Sequence, residues 1–314
     1  VHEDITIGMS PRWPRPFGML YMAIALRQWR NLYPAVQFYA SIGNGQAVDY
    51  AGHMGIFQTI SERILIGKAP GEAYGNDNYV PITKLNIEDM RTTAIKQQRY
   101  LEDGDLVEIE AKRLATVLTQ DSNGLNLLTY VLRELIRNVP EHSGANTIWV
   151  CGQHWKTGEA EIAISDEGMG VRNSLELSPS HRPYITSDEE ALKLAIKPGV
   201  SQAFKLGGKQ QSSDVWANSG FGLYTVSNLV QVLGGSFCLA SGSQFIKVDE
   251  EGRISSGDTW FGGTAVKVTI KQIGAKNSDA LVQELVEKGE AEAKLIRNAF
   301  TKASRPSRGL IRDE

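Results

Sequence analysis

The sequence predicts an α/β protein whose largest part is a mostly antiparallel sheet packed with helices. Three observations carry that prediction. Residues 147–153 and 159–165 are strand-like runs joined by the turn Lys156-Thr157-Gly158-Glu159, a hairpin signature. Three more strand-like runs, 236–240, 244–249 and 264–270, follow later, with the turn Glu250-Glu251-Gly252 between the last two. Helical patterns lie before and between these groups: an apolar one carrying Glu134 and Asn138, and a second opening at Gly222 and running to about residue 233.

Taken in order, the first fifteen or so residues contain Pro and Trp and read as irregular. Residues 17–33 read as a helix with Leu20, Ile24 and Trp29 among its apolar positions, stopped by Pro34. A strand at 36–40, a Gly43-Asn44-Gly45 turn and a helix at 47–60 follow, the last ending in Met54, Ile56, Phe57 and Ile60. The Gly, Pro, Asn and Asp content of 67–81 predicts a loop, and 79–85 a strand. Asp105 is placed to cap a helix over 106–119, and Asp121-Ser122-Asn123-Gly124 interrupts the chain before the Glu134 helix. We therefore place a domain boundary near residue 105, with a small α/β domain over 1–105 and the main unit over 106–275. Residues 276–314 form a C-terminal segment, a helix over 278–302 and a tail whose Arg, Pro and Ser content is that of a disordered segment.

With 314 residues, 41% of them hydrophobic and 22% charged, the chain has the composition of an ordinary soluble protein of one large or two modest domains. A net charge of −3 gives no global attraction to nucleic acid or to anionic lipid. No apolar run reaches the ~20 residues of a membrane helix, and the N-terminus lacks a signal-peptide layout, so no membrane association is expected. Cys151 and Cys238 lie in apolar strand-like runs and read as buried reduced thiols, which fits a cytoplasmic setting. The histidines show no metal-ligand spacing with one another or with the cysteines.

The chemistry-bearing residues form an ordered set. Glu134 and Asn138, four apart, share one helix face, where a carboxylate and an amide can act on one group. Asp166-x-Gly168-x-Gly170 sits at a strand end, where glycines let backbone approach a ligand and the aspartate accepts from an amine. Ser219-Gly220-Phe221-Gly222-Leu223 opens a helix whose free N–H groups suit an anion, and Gly263-Thr264 starts the last strand. The Gly-x4-Gly-Lys-Ser/Thr pattern of a P-loop is absent.

In this order the four boxes, spanning residues 123–271 or roughly half the chain, resemble the GHKL ATPase superfamily with its Bergerat ATP-binding fold. That resemblance implies a two-layer sandwich with helices on one face of the sheet, and a lid over 172–218 carrying a helix-like insert at 187–196. It implies ATP and Mg²⁺ as ligands. Glu134 would orient or deprotonate the attacking water and Asn138 would coordinate Mg²⁺ through its amide oxygen. Asp166 would accept from the adenine amine and Gly168 and Gly170 would admit base and sugar. Gly220, Gly222 and Leu223 would open the helix that meets the phosphates, and Thr264 would support the adenine pocket. His142 follows Asn138 by four, as is common in the family, but Pro140 between them removes the bond to the Ile136 carbonyl and bends or stops the helix. Arg137 and Lys209 are further candidates for phosphate contact. The order of elements in 17–60 faintly resembles a STAS-type domain but carries no motif.

What the nucleotide is used for stays open between three readings. The first is a Mg²⁺-dependent ATPase whose slow hydrolysis drives a regulatory switch in bacterial signalling or phage defence, the lid ordering over the γ-phosphate. The second is a protein kinase, anti-sigma-like, phosphorylating Ser, Thr or His of a partner; no histidine before residue 120 sits in a helical His-Glu pair, so self-phosphorylation is not expected. The third is a nucleotide-sensing module without turnover. Each expects a protein partner or a homodimer, and with only 44 residues after Ile270 a full chaperone or topoisomerase engine is not expected.

Overall fold

The computed structural model describes residues 5–9, 14–76, 78–99, 101–202, 219–273, 278–296, 299 and 302–304. Strand β1 (Ile5–Met9) leads to helix α1 (Pro16–Leu32), strand β2 (Phe38–Ile42) and the short helices α2 (Gln46–His53) and α3 (Ile56–Ile60). Strand β3 (Tyr79–Asn86), α4 (Ile87–Lys96), α5 (Asp103–Leu118) and α6 (Ser122–Asn138) follow. A π-helical turn over Val139–Ser143 precedes the hairpin β4 (Thr147–His154) and β5 (Ala160–Asp166). Helices α7 (Gly170–Glu176), α8 (Asp188–Ala195) and α9 (Gly222–Val232), strands β6 (Ser236–Val248) and β7 (Ile254–Ile270), and α10 (Ser278–Ala293) complete the chain.

The α/β class and the antiparallel sheet are as the sequence predicts. One five-stranded sheet runs β3-β4-β5-β7-β6, every neighbouring pair antiparallel. Side chains alternate along a strand, so each strand feeds two cores. Ile148, Val150, Ile162, Ile164, Val266 and Val268 face the core built with α5, α6, α9 and α10. Trp149, Cys151, Ala163 and Ala265 face a second core with Leu20, Ile24, Met54 and Phe57 of the N-terminal helices.

That second core changes the layering. Helices occupy both faces of the sheet, not one, because α1 lies across the face that a two-layer sandwich leaves open. The boundary drawn near residue 105 consequently runs through shared structure: β3, from before it, is the edge strand of the main sheet. Glu161 fastens the two segments together. Its side chain is fully buried on β5, accepts the Phe17 N–H at 2.9 Å in the first turn of α1, and pairs with Arg15 at 2.9 Å and Lys267 at 3.5 Å. A carboxylate at a helix N-terminus satisfies an orphan donor and complements the dipole.

Local differences have local causes. Residues 5–9 are not irregular but pair in parallel with β2, and the helix read over 47–60 is two helices divided at Met54-Gly55. Asp105 is the third residue of α5, not its cap; it closes a capping box with Glu102. Helix α4, capped by Asn86, is absent from the sequence reading, and β6 and β7 are longer than their predicted runs. Trp29, read as an apolar helix position, is 45% exposed beside Trp260. Helix α10 ends at Ala293, short of 302, and the tail beyond Ser304 lies outside the described residues. No helix among the described residues is long and apolar enough to cross a membrane.

Candidate functional site

A cavity opens between α6, the ends of β5 and β7, α7 and the start of α9. Its walls are apolar: Leu135, Val139, Ile164, Leu175, Leu239 and Val266. The polar groups on it include Asn138, His142, Ser143, Asp166, Ser174 and Thr264, with Gly170, Gly220, Gly222 and Leu223 contributing backbone or apolar edge. An apolar cleft with a few convergent polar groups is the usual build of a small-molecule site. Seven of the nine residues selected from the sequence thus meet on one surface.

Asp166 forms the floor. It is 3% exposed and ends β5, directly opposite Thr264 on β7. Burial pushes its carboxyl up to about 6, against hydrogen bonds from the Gly168 N–H at 2.8 Å and from the Thr264 and Ser143 hydroxyls, which favour the charged form. Gly168 does not line the cavity. It acts on Asp166 from the side, and a Cβ there would lie 2.3 Å from the Ser143 carbonyl oxygen. Gly170 packs under Ser241, whose hydroxyl donates to the Gly263 carbonyl at 2.6 Å and accepts the Val171 N–H at 3.0 Å.

The other end is built by α6 and α9. As expected of Pro140, the α-helix stops at Asn138; the chain continues as a π turn over Val139–Ser143, which leaves Asn138 and His142 both on the cavity. Burial, and then the neighbouring Arg137, hold the His142 imidazole down to about 4, so it is neutral near pH 7. Gly220 takes φ +74° and passes so close to Val200 that a Cβ would sit 2.1 Å from its carbonyl oxygen.

Glu134 is one turn before Asn138, 1% exposed, and not part of the cavity lining. Its Oε2 lies 2.6 Å from where a Cβ on Gly222 would stand, so the carboxylate backs directly onto the first turn of α9. Arg133 reaches its Oε1 at 3.2 Å and Arg137 at 3.8 Å; Arg133 also meets Glu108 at 3.2 Å and Arg137 meets Glu141 at 2.9 Å. Burial works to lower the pKa of Arg133, and Glu134 and Glu108 outweigh it. Arg137 is 3% exposed, lies within ion-pair distance of Glu141 and Glu134 with none of its guanidinium nitrogens in a hydrogen bond among the described residues, and does not line the cavity. Lys209 lies outside the described residues.

The expected lid is described as far as residue 202. Its helix-like insert is α8, docked on β6 by Asp188, which accepts from the Ser243 N–H and hydroxyl at 2.7 Å. Val200, Ser201 and Gln202 come back onto the cavity, where Gln202 donates to the Glu141 carbonyl at 2.6 Å and accepts from the Ser174 hydroxyl at 2.9 Å. Sequence reasoning missed Ser143, Ser241 and Gln202. Each is a lone polar residue whose role depends on a contact distant in sequence, so no spacing announces it.

Among the described residues no cluster of three or more His, Cys, Asp or Glu is gathered for a metal ion. A hard cation held by one amide oxygen and by a ligand's own phosphates needs no such cluster, and Asn138 at the cavity edge suits that arrangement. No protein-family model matches the chain, and no curated protein matches its sequence.

Proposed function

We propose that the cavity binds an adenine nucleotide, with Mg²⁺, and that nucleotide occupancy switches the protein's contacts with a partner. The observation that carries this reading is Asp166. A carboxylate buried on the floor of an apolar cleft carries an unfavourable charge there, and an amine donor of the size and flatness of adenine's relieves it. Thr264 and Ser143 leave the carboxylate fixed in direction. At the far end, the Gly220-Phe221-Gly222 opening of α9 offers N–H groups to phosphate. Mg²⁺, when bound, would neutralise phosphate charge with Asn138 as its protein oxygen.

Glu134 is the residue for water activation in the ATPase reading. Its carboxylate is compensated by two guanidiniums and screened by Gly222, so turnover requires it to gain access past the start of α9. That geometry supports slow hydrolysis, and it favours the nucleotide-sensing module as the second reading. Phosphate release from ATP by the parent and by Glu134→Gln separates them: a parent rate lost in the variant supports hydrolysis through Glu134, and a parent at background supports sensing.

Binding itself is tested by calorimetry with ATP and GTP, each with Mg²⁺ and with chelator. GTP offers a carbonyl to Asp166, and facing two acceptors costs about 1–3 kcal/mol, so ATP should bind at least ~10-fold better. Asn138→Ala should keep that preference and lose the Mg²⁺ effect. Indifference to the base would sink the adenine assignment; an unchanged metal effect would sink the role of Asn138.

A further inference from the structure

The β6–β7 ladder breaks between the pairs Ala240↔Ala265 and Gly242↔Phe261, which leaves Gly262 and Gly263 out of register with β6. Backbone released from a ladder inside a fold needs other partners. Gln28 on α1 supplies them for Gly262: its Oε1 accepts the Gly262 N–H at 3.0 Å, and its Nε2 donates to the Gly262 carbonyl. This amide is buried at 8% exposure, on the helix whose Leu20 and Ile24 pack against the sheet.

The clamped peptide is one residue from the cavity's rear wall. Gly263 holds φ +119°, a conformation for glycine, and a Cβ there would stand 2.2 Å from the Asp166 carbonyl oxygen. Thr264 follows, opposite Asp166 and bonded to its carboxyl through the hydroxyl. Arg27, next to Gln28, reaches Glu167, the neighbour of Asp166, at 3.4 Å. Helix α1 therefore holds both strands that form the floor, from the face of the sheet opposite the α6 layer.

We infer that Gln28 is a positioning residue: by clamping the Gly262 peptide it aims Thr264 at Asp166, so that the N-terminal segment sets the shape of the cavity's floor. Its consequence for adenine recognition rests on the function proposed above; the clamp itself does not. On that reading, an effector that shifted α1 would reach the bound base through this clamp and the Arg27–Glu167 pair.

Gln28→Met keeps the length and packing of the side chain and removes both bonds. Arg30→Ala is the control on the same helix, since it deletes a bond to the Ile60 carbonyl, 2.8 Å long, outside the cavity lining. In Gln28→Met, shown folded by its thermal transition, the Asp166 carboxyl followed by carbon NMR without nucleotide should titrate above its parent value. The ATP-over-GTP affinity ratio should fall about tenfold, the size of losing roughly 1.4 kcal/mol of directed hydrogen bonding, with the Mg²⁺ effect retained. Arg30→Ala should match the parent in both. A folded Gln28→Met with parent-like titration of Asp166 overturns the clamp; Gln28→Ala, read the same way, serves if the methionine variant does not fold. A parent indifferent to the base would remove the adenine consequence and leave the titration to decide the clamp.

Discussion

On the proposed reading, Asp166 would make adenine binding a proton-linked event, and the linkage has a definite sign. Its carboxyl is pushed up to about 6 from an ordinary 3.8, and at about 1.4 kcal/mol per unit this puts the buried charge at a cost of about 3 kcal/mol. Because the folded pKa is the higher one, the group's stabilising contribution is complete below the unfolded value and is lost as pH rises through about 6. The free protein thus carries this cost near pH 7. A donor that prefers the carboxylate relieves part of it and lowers the pKa, so binding near pH 6 releases a proton. Below that pH the ligand must first drive the proton off, and apparent affinity falls by up to tenfold per unit.

Calorimetry with adenosine, which has no phosphate to titrate, isolates the effect. From about pH 7 to about pH 5 the affinity should drop about tenfold, with a binding heat that depends on the buffer's ionisation enthalpy near pH 6. Asp166→Asn should abolish the pH dependence and bind more weakly at neutral pH, because an amide loses the charge-assisted bond. A parent affinity that holds or rises at low pH would refute the reasoning: it would mean that the neutral acid is the binding form, donating to a ring nitrogen as well as accepting from the amine.

Three other perturbations follow from the same contacts. Glu134→Ala should cost about 3–5 kcal/mol in urea denaturation, since it leaves Arg133 and Arg137 buried with less compensating charge, and Glu134→Gln should cost less; equal losses would show that the ion network is not what Glu134 stabilises. Glu161→Ala removes the carboxylate that caps α1 and pairs with Arg15 and Lys267, for an expected loss of about 3 kcal/mol, and hydrogen exchange should rise first in the first turn of α1. Gly222→Ala forces a methyl to within contact of the Glu134 carboxylate, so the start of α9 must move; nucleotide affinity should fall while the ATP-over-GTP ratio stays, and a changed ratio with unchanged affinity would contradict the placement.

The parts legible in the sequence are those fixed by local chemistry. A helix with Asn138 one turn after Glu134, a strand ending in Asp166 and a Gly-rich helix start each announce themselves within a few residues, and seven of the selected side chains or glycines do meet on one cavity. The helical layer over the second face was missed although its signal was present. A strand with one face in water alternates, whereas Ile148-Trp149-Val150-Cys151 is apolar at every position, the pattern of a strand covered on both sides. Gln28 and Ser143 carried no such signal. Their roles depend on Gly262 and Asp166 arriving beside them, and a lone Gln in an apolar helix reads as a solvated position until the bulge opposite it is known.

The cavity's two ends draw on different parts of the chain, and this separates what each can report. The floor, Asp166 with Thr264, is fixed to α1 through Gln28 and Arg27, so its state is tied to the N-terminal segment. The far end, Asn138 with the start of α9, is fixed to the buried ion network and to Val200, where the chain runs back from α8. On the proposed reading, the base is therefore sensed by one element and the phosphates by another. A ligand that fills only the floor, such as adenosine, should protect α1 from hydrogen exchange and leave the start of α9 as it is in the free protein. ATP with Mg²⁺ should protect both. Protection of α9 by adenosine alone would show that the two ends move as one body and would remove the basis for assigning them separate signals.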